Sequence, residues 1–363
     1  MKTILHPLTR FVLTVLGIAL CSLLMLFLLA IYRGVSEGSM SYVRESGADL
    51  WILQDHATNI LRSSSLLPAN LKPVIQNING IESVSPVFLI LSSVLTSSGP
   101  ATVYLTGYDI KTGIGGPPGI TEGKNIKEDN EIVLDRSFAA KYNIRTGDDI
   151  CVKDDTLKVS GLSSGTNMFV IQYAFISLHK AGEIAGYPFL VSCYQVRLKP
   201  HADPEGTAIA LRDEISDIAV IDQQTFLNNN KREMESGILP LLYTVAFIGA
   251  IVLTAILSLI LSMHVLERKN EYAVMKALGA PSGFLPVLLI KQAMILSLGG
   301  MITAATLISP LLCLVEKLSP EVAGETSLQH LAIVLSGIGI ICLVSSAVPI
   351  GKLRRIYPLD VFK

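Results

Sequence analysis

The sequence predicts a membrane protein in which four transmembrane α-helices carry an α/β extracytoplasmic domain inserted between the first and second helices. Hydrophobic residues make up 50% of the 363 residues and charged residues only 16%, whereas about a quarter of the residues in soluble proteins are charged. Four apolar runs are each long enough to cross a bilayer core, which takes about 20 residues. A mixed stretch of about 200 residues separates the first run from the second, and this is enough for a sizeable domain.

The first apolar run, residues 11–32, reads FVLTVLGIALCSLLMLFLLAIY and contains no charged residue. A cleaved signal peptide is the rival interpretation, but its apolar region would span about 7–15 residues and end in an A-x-A-like site. The following RGVSEGSMSY offers no good site, so we predict an uncleaved helix. The other runs are residues 238–265, 285–315 and 331–350. A globular core rarely needs so many helices that are apolar all round.

Lysine and arginine positions predict the orientation, because cytoplasmic loops carry an excess of both. Basic residues concentrate in residues 1–10, 266–284 and 351–363, whereas residues 316–330 contain Lys317 among three glutamates. Both termini and the 266–284 loop are therefore predicted to be cytoplasmic. The long segment 33–237 is predicted to be extracytoplasmic, since long loops translocate regardless of their charge.

Strand-like and helix-like patterns alternate within residues 33–237. The predicted elements are a strand at 49–54, a helix at 68–79, strands at 84–96, 102–108 and 194–198, a helix at 203–215 and a strand at 219–222. Together they fit a ferredoxin-like β-α-β-β-α-β lobe. Between its halves, residues 110–185 combine a Gly/Pro-rich loop at 113–123 with short strands at 131–134, 150–153, 157–162 and 169–176. This composition predicts an inserted small β-rich lobe.

No motif for catalysis, a cofactor or a metal stands out. The Gly-Lys pairs at 123–124 and 351–352 lack the glycine five positions upstream that a P-loop requires. The six histidines and five cysteines show no metal-ligand spacing, and the net charge of −1 gives no indication of nucleic-acid binding. We therefore expect no catalytic activity and no cofactor. Cys151 and Cys193 could pair if their segment is extracytoplasmic, and the sequence leaves this open.

Lys291 is the single charge inside the third apolar run. A charge at membrane depth points to a functional site by default. It lies only about two turns into the run, near the predicted cytoplasmic end, so a side chain that snorkels to the interface is the simpler interpretation.

Residues 267–285, ERKNEYAVMKALGAPSGFL, predict a short amphipathic helix rather than a plain connector. Tyr272, Met275 and Leu278 recur at i, i+3 and i+6 and form one apolar stripe. Gly279 is predicted to end the helix as its C′ residue. A half-apolar helix of this kind suits a groove on a partner protein, and the alternative is a helix that lies on the lipid surface. The predicted docking residues are Glu267, Arg268, Lys269, Glu271, Tyr272, Met275, Lys276, Leu278 and Gly279.

ERKNEYAVMKALGA closely resembles the signature that follows the second transmembrane helix of MacB/FtsX-like ABC transporter permeases, E-R-x-x-E-[IY]-[AG]-x-[LM]-[KR]-A-[LI]-G-A. The layout of one helix, a large domain and three helices is also similar, so the resemblance covers essentially the whole chain. GADLW after the first run and QAMILSLGG in the third are most similar to the DevC-like permeases. The closing VPIGKLRRIYPLDVFK resembles the C-terminal motif of the family at Pro349, Leu353, Arg355, Pro358, Leu359, Asp360, Val361 and Phe362.

The resemblance implies a permease subunit of the bacterial inner membrane that forms a homodimer and binds a separate ABC ATPase subunit through the helix at 267–279. The external domain is similar to the MacB-like periplasmic core domain, and its movement would drive export by mechanotransmission. A membrane-fusion protein and an outer-membrane channel are the partners implied by the DevC-like members. The family usually carries a longer amphipathic stretch where only residues 1–10 stand here, so a cytoplasmic brace is expected to be missing. An acidic contact at the start of the third run is not expected either, because that region reads LLIKQAM.

Two alternatives stay open. One is lateral extraction of a lipoprotein, lipid or haem from the membrane, which would involve residues 37–42 and His56 just beyond the first run. The other is FtsX-like regulation of a cell-wall hydrolase through the external domain. The sequence does not name the cargo, because a permease that transmits movement needs no substrate pocket of its own.

Overall fold

The structure, a computed structural model, describes residues 2–60, 63–168, 171–281, 283–322 and 328–354. The chain divides into two compact units, which we call the helical unit and the sheet domain. The helical unit comprises Met1–Arg33, Leu239–Leu314 and Gly324–Lys363, and the sheet domain comprises Gly34–Ile238 and Val315–Ala323.

The helices of the described residues run in chain order from the first membrane segment to the C-terminal region. They are α1 (Lys2–Glu45), α2 (Lys72–Gln76), α3 (Arg136–Tyr142), α4 (Leu178–Ala185), α5 (Pro204–Glu214), α6 (Gln223–Glu267), α7 (Lys269–Ala277), α8 (Phe284–Leu318), α9 (Leu328–Ser345) and α10 (Ala347–Arg354).

Four segments of these helices are long and apolar enough to cross a membrane, which confirms the number predicted from the sequence. The segments are Thr14–Glu45, Leu239–Glu267, Phe284–Leu318 and Ala332–Leu353. Their shared core draws on all four, with Ile18 of α1, Leu257 of α6, Leu296 of α8 and Ile338 of α9 each buried. At Gly300 of α8, an added Cβ would lie 2.5 Å from Cγ2 of Ile18, so α1 and α8 approach too closely there for a larger side chain.

The helices extend beyond the apolar runs. α1 continues past Tyr32 to Glu45, and α6 begins at Gln223 rather than near residue 238. The apolar pattern ends at these points because the polar extensions pack on the sheet domain instead of lipid, as the buried Tyr42, Val43 and Phe226 indicate. Residues 2–10 are also helical. The fourth predicted run is divided between α9 and α10 just before Pro349, whose ring nitrogen has no hydrogen to donate.

The strands of the sheet domain form one large sheet and one small sheet. They are β1 (Leu50–Gln54), β2 (Leu67–Pro68), β3 (Ile81–Thr96), β4 (Gly99–Tyr108), β5 (Gly119–Gly123), β6 (Glu131–Asp135), β7 (Asp149–Val152), β8 (Asp155–Ser164), β9 (Gln172–Ser177), β10 (Leu190–Val191), β11 (Cys193–Leu198) and β12 (Ile218–Asp222). The large sheet has the order β12-β1-β11-β3-β4-β9-β6-β8-β5, with β7 paired to both β3 and β8, and β2 pairs with β10.

One half of the large sheet is built from two interleaved β-α-β segments. β11 lies between β1 and β3 and is antiparallel to both, while β1 lies between β11 and β12 and is antiparallel to both. The segments β1–α2–β3 and β11–α5–β12 are therefore split β-α-β units of the ferredoxin-like kind. α5 covers this half with the buried Leu211, and it starts at Asp203, whose carboxylate accepts the amide protons of Glu205 and Gly206.

Residues 110–185 continue the same sheet and do not form a separate one. The long β3–β4 hairpin leads into this part, because β4 pairs in parallel with β9 from Val103↔Gln172 to Tyr108↔Ser177. The segment is rich in strands, as predicted, but the prediction did not include α3 and α4, which also lie in it. Both helices are short and capped, α3 by Asp135 and α4 by Ser177. Caps of this kind stabilise helices too brief for a periodic apolar pattern.

Two further local predictions differ from the structure. Residues 68–79 were predicted to be one helix, but Pro68 pairs in β2, a 3₁₀ turn covers Ala69–Leu71, and α2 ends at Gln76. Pairing of β2 with β10 takes the first residue out of the helix. Part of the predicted loop at 113–123 is strand β5, which pairs with the edge of β8. The predicted strand at 169–176 begins in residues 169–170, outside the described residues.

The structure also decides the cysteine question. Cys151 and Cys193 are both free. Cys193 pairs with Val87 on β3 and Cys151 pairs with Leu95 on the same strand. Eight residues of strand span about 26 Å, far more than the Cα separation that a disulfide bridges.

Candidate functional site

The predicted docking residues lie around α7, directly after the long helix α6. α6 ends at Glu267, and Arg268 leaves the helical region with φ −103° and ψ 20° before α7 starts at Lys269. The turn is tight, because the Arg268 amide donates to His264 O at 3.1 Å and the Tyr272 amide donates to Arg268 O at 3.1 Å. The direction of α7 is therefore set by one residue at the end of a membrane segment.

The C-terminal end of α7 depends on Gly279. Its φ is +88°, a conformation that favours glycine. The amide of Gly279 donates to Lys276 O and the amide of Ala280 donates to Met275 O, each at 3.1 Å. These two bonds form a Schellman motif, which confirms that Gly279 is the C′ residue of this helix.

The predicted apolar stripe of α7 is divided between two environments. Tyr272 is 2% exposed and packs with Val265, Leu285, Leu289 and Leu353 of the helical unit. Met275 is half-buried against the same cluster, whereas Leu278 is 83% exposed. The interpretation of Tyr272, Met275 and Leu278 as one outward face was therefore wrong, because residues six apart on a helix point in directions that differ widely.

The exposed face of α7 carries a different set of residues. Val274 is 43% exposed, and Ala277 and Leu278 are exposed beside it. Asn270 and Glu271, one turn earlier, lie on the same face because positions i, i+4 and i+7 are neighbours on a helix. Sequence reasoning missed Val274 and Ala277. Asn270, Val274 and Leu278 recur at i, i+4 and i+8, a spacing that also indicates one face of a helix. The sequence alone does not show which helices pack against α7, so it could not favour this face over the stripe of Tyr272, Met275 and Leu278.

Among the charged residues of this segment, Lys276 holds α7 in place, and Arg268 and Glu271 border the exposed face. Lys276 donates a hydrogen bond from Nζ to Leu353 O of α10 at 2.9 Å, which connects α7 to the last described helix. Arg268 and Glu271 are exposed and lie 3.8 Å apart. Glu267 is exposed and Lys269 is half-buried. Burial raises the pKa of Tyr272, partly offset by the Arg268 charge, so its hydroxyl stays neutral.

Residues of the predicted C-terminal motif fall partly within the structure. Pro349 and Leu353 are buried, and Leu353 packs against Tyr272. The other six motif positions, Arg355, Pro358, Leu359, Asp360, Val361 and Phe362, lie outside the described residues.

The polar continuations of α1 and α6 are fixed inside the sheet domain. Tyr42 of α1 is fully buried, donates from its hydroxyl to Gly115 O at 3.0 Å, and stacks on Tyr173 with ring centroids 4.7 Å apart. Gln223, the first residue of α6, donates to Val43 O of α1 at 2.6 Å and accepts from Trp51 Nε1 at 2.7 Å. One glutamine side chain thus bonds the end of α1, the start of α6 and strand β1.

A second connection joins α6 to the loop after β1. Oδ1 of Asn230 accepts the amide proton of Ile60 at 3.0 Å, and its Nδ2 donates to Phe226 O at 2.8 Å. Asn230 is completely buried, and both its side-chain oxygen and its side-chain nitrogen form hydrogen bonds there.

Two titratable groups of the sheet domain, Tyr104 and Cys193, have strongly raised pKa values. Burial raises the pKa of Tyr104 to about 12 and that of Cys193 to about 12, so both stay protonated at neutral pH. Within the described residues, no three His, Cys, Asp or Glu side chains come together in a group that could hold a metal ion. His56 is exposed beside Asp55, while Met40 and Tyr42 in the 37–42 segment are buried.

Comparisons with known proteins give the family. The family model of the MacB-like periplasmic core domain matches residues 11–214, and the model of the FtsX-like permease C-terminal region matches residues 243–358. Among solved structures, the chain is similar to the periplasmic region of MacB from Actinobacillus actinomycetemcomitans. That match has 13% identity and a TM-score of 0.41 and covers 50% of this chain and 92% of the other.

Two further structures show comparable similarity. The extracellular domain of the noncanonic ABC-type transporter YknZ from Gram-positive bacteria matches at 10% identity and a TM-score of 0.39, covering 48% of this chain and 100% of that domain. A domain of a permease protein from Porphyromonas gingivalis matches at 13% identity and a TM-score of 0.34, covering 48% of this chain and 88% of the other. Because the first family model alone matches more than half of the chain, and the second matches most of the remainder, this protein belongs to the MacB/FtsX-like family of ABC transporter permeases.

Proposed function

We propose that this permease converts ATP hydrolysis by a separate ATPase subunit into movement of the sheet domain on the outer side of the bacterial inner membrane, and that this movement drives export. Membership of the family makes the chain a membrane protein and an ABC transporter permease, a class that generally works with an ATPase partner and has no catalytic activity of its own. The proposal adds the direction of coupling and the residues that carry it.

The observation that carries the proposal is the bonding around Gln223. α1 and α6 each contain a membrane segment, and the polar continuation of each is bonded to the other and to β1 by this side chain. α7 follows α6 after a single residue. A displacement of α7 therefore acts on the helix that enters the sheet domain at Gln223.

The docking surface that we propose for the ATPase is the exposed face of α7, centred on Val274 and Leu278 and bordered by Glu271. Large exposed apolar side chains are typical anchors of protein interfaces when polar residues surround them. Leu278 is 83% exposed next to the Schellman turn at Gly279, whose hydrogen bonds hold the backbone at this position. Burying the two side chains on a partner would contribute a few kcal/mol, about 25 cal/mol per Å² of apolar surface.

Co-purification with the cognate ATPase tests this surface. Leu278→Asp and Val274→Asp place charge in the proposed contact and are expected to abolish the complex. Gly279→Pro, which cannot adopt a positive φ, and Glu271→Arg are expected to weaken it. The matched control is Ile209→Asp, which makes the same apolar-to-charged change at an exposed position on α5 of the sheet domain. Retention of the ATPase by Leu278→Asp, Val274→Asp and Glu271→Arg would show that another surface docks it.

The arrangement in the membrane and the assembly belong to the same proposal. We propose that both termini and α7 lie in the cytoplasm, which the lysine and arginine distribution supports, and that the working unit is a homodimer with two ATPase subunits. DevC-like membership would add a membrane-fusion protein and an outer-membrane channel. Lateral extraction of a lipoprotein, lipid or haem and FtsX-like control of a cell-wall hydrolase use the same coupling. Identification of the protein that binds residues 33–237 distinguishes them.

A further inference from the structure

The membrane segments enclose a groove between α8 and α9 that the proposed coupling does not use. It has a volume of about 510 Å³, within the range of ordinary ligand sites. Its wall on α8 includes Lys291, Met294, Ser297 and Leu298, and its wall on α9 includes Gly339 and Cys342. At Gly339 an added Cβ would meet no atom within 4 Å, so the absence of a side chain there leaves the groove open.

Lys291 is the charged residue of this apolar groove. Its side chain is exposed, and within the part of the chain that the structure describes it forms no hydrogen bond or ion pair. An ammonium group at membrane depth is costly unless an anion or water compensates it. Because Cβ atoms on a helix tilt toward its N-terminus, the side chain is directed toward Phe284 at the start of α8. About 10 Å of helix separates Lys291 from that end, a distance that a snorkelling lysine largely closes.

Two further cavities extend the groove toward the α7–α8 loop. One is lined by Lys291 together with Phe284, Val287 and Leu288, and has a volume of about 390 Å³. The next shares Val287 with it, reaches Lys276, and has a volume of about 680 Å³. Lys291 thus lines both the groove between α8 and α9 and the cavity at the start of α8, and a second basic residue, Lys276, lines the next cavity.

We propose that this groove binds an anionic phospholipid, with the phosphate at Lys291 and one acyl chain between α8 and α9 along Met294, Leu298 and Gly339. An acyl chain matches the apolar walls, and a phosphate supplies the counter-charge that the described residues of this chain do not supply to Lys291. Basic pockets between transmembrane helices on the cytoplasmic side bind anionic headgroups in this manner. The inner leaflet as the source of the lipid rests on the proposed orientation, in which the Phe284 end of α8 is cytoplasmic.

The test measures lipid bound to the full-length permease alone, so that its outcome is independent of ATPase docking. The protein is placed in nanodiscs of phosphatidylcholine with and without phosphatidylglycerol, and lipid retained after release into detergent is counted by native mass spectrometry. We expect retention of phosphatidylglycerol over phosphatidylcholine, and about fivefold weaker retention in Lys291→Ala, the loss expected for one basic residue at an anionic headgroup. Lys291→Arg should retain the lipid, and Gly339→Leu, which fills the groove, should lose both lipids.

The control is Lys317→Ala, which removes a charge from the far end of α8 and should leave retention unchanged. A monodisperse elution profile establishes that each variant is folded. If Gly339→Leu does not fold, the comparison of Lys291→Ala with Lys291→Arg still tests the proposal. Equal retention of the two lipids, or equal retention by the alanine and arginine variants, would overturn the proposal. A Met294→Cys variant that cross-links to a second copy while no lipid is retained would assign the groove to a homodimer contact and overturn it as well.

Discussion

Lys141 of α3 and Glu321, in the segment that follows α8, form an ion pair in the sheet domain with 2.8 Å between Nζ and Oε1. Asn167 strengthens the contact by donating from Nδ2 to Glu321 O at 2.8 Å. The hydrogen bond that Lys141 donates to Glu321 raises the pKa of Lys141 above its ordinary value of 10.5. The stabilising contribution of the pair is therefore present at neutral pH and is lost only as the pH rises through that raised pKa. The segment that follows α8 is thus held within the sheet domain by side chains of α3 and of the β8–β9 connection.

A double-mutant cycle on Lys141→Met and Glu321→Gln checks this connection. We expect a coupling energy of about 0.5 to 1 kcal/mol in thermal unfolding of the full-length protein, because both side chains are partly exposed and water screens the pair. The same cycle on Arg136 and Glu316, which are more exposed and 3.9 Å apart, serves as the control and should give a value near zero. If the effects of the first two substitutions simply add, residues 315–323 are not held by this ion pair.

Gln223→Leu should destabilise the sheet domain and loosen the junction of α1 and α6. The substitution removes both hydrogen bonds of the side chain and leaves Nε1 of the fully buried Trp51 without its partner. An unsatisfied buried donor costs about 1–3 kcal/mol, and we expect a loss in this range by chemical denaturation. Gln224→Leu is the matched control, since the neighbouring glutamine is exposed and bonds only Asn228 within the described residues. Equal destabilisation by both substitutions would contradict the role of Gln223.

The ion pair between Lys72 and Asp109 predicts a pH dependence. Nζ of Lys72 lies 2.7 Å from Oδ2 of Asp109. Burial alone would raise the pKa of Asp109, but hydrogen bonds from Lys72 and from the Lys111 amide outweigh it and lower the pKa below 3.8. A carboxylate whose pKa is lower in the folded state stabilises that state at pH values above its unfolded-state pKa. This stabilisation is lost as the pH falls through its folded-state pKa. Unfolding midpoints measured from pH 7 to pH 2 should therefore fall more steeply for the wild type than for Asp109→Asn. Parallel curves would show that this carboxylate does not contribute.

The two cysteines of the sheet domain should remain reduced and differ in reactivity. Cys193 is fully buried and its pKa is raised to about 12 by burial, whereas Cys151 is half-buried on β7. Because the thiolate is the reactive form, a maleimide should modify Cys151 in the folded protein and Cys193 only after denaturation. Peptide mass spectrometry after labelling in native and denaturing buffer measures both. Recovery of a Cys151–Cys193 disulfide under non-reducing conditions would contradict the strand register along β3.

A structural feature of this protein was predictable from the sequence where neighbouring residues determine it, and not where residues distant in sequence do. Runs of apolar residues and a glycine such as Gly279 carry their structural meaning in a few neighbouring positions, so the membrane segments and the end of α7 were predictable. The extension of α1 to Glu45 was not, because burial of Tyr42 depends on residues such as Tyr173 and Gly115, which are distant in sequence. The same limit applies to the docking site. Which face of α7 points outward is decided by Leu285, Leu289 and Leu353, and none of these belongs to the α7 sequence.

Substitutions on the two faces of α7 should have opposite effects on the stability of the permease and on its binding to the ATPase. Tyr272→Ala removes a buried ring from its contacts with Val265 and Leu353 and should cost about 3–5 kcal/mol. Leu278→Ala removes an exposed side chain, so it should leave the unfolding midpoint unchanged and still weaken co-purification of the ATPase. Tyr272→Phe is the control for the inner face. The Tyr272 hydroxyl is buried without a hydrogen-bond partner among the described residues, so its removal should be neutral or slightly stabilising. The opposite pattern, with Leu278→Ala destabilising and Tyr272→Ala affecting only the complex, would restore the stripe predicted from the sequence as the docking face.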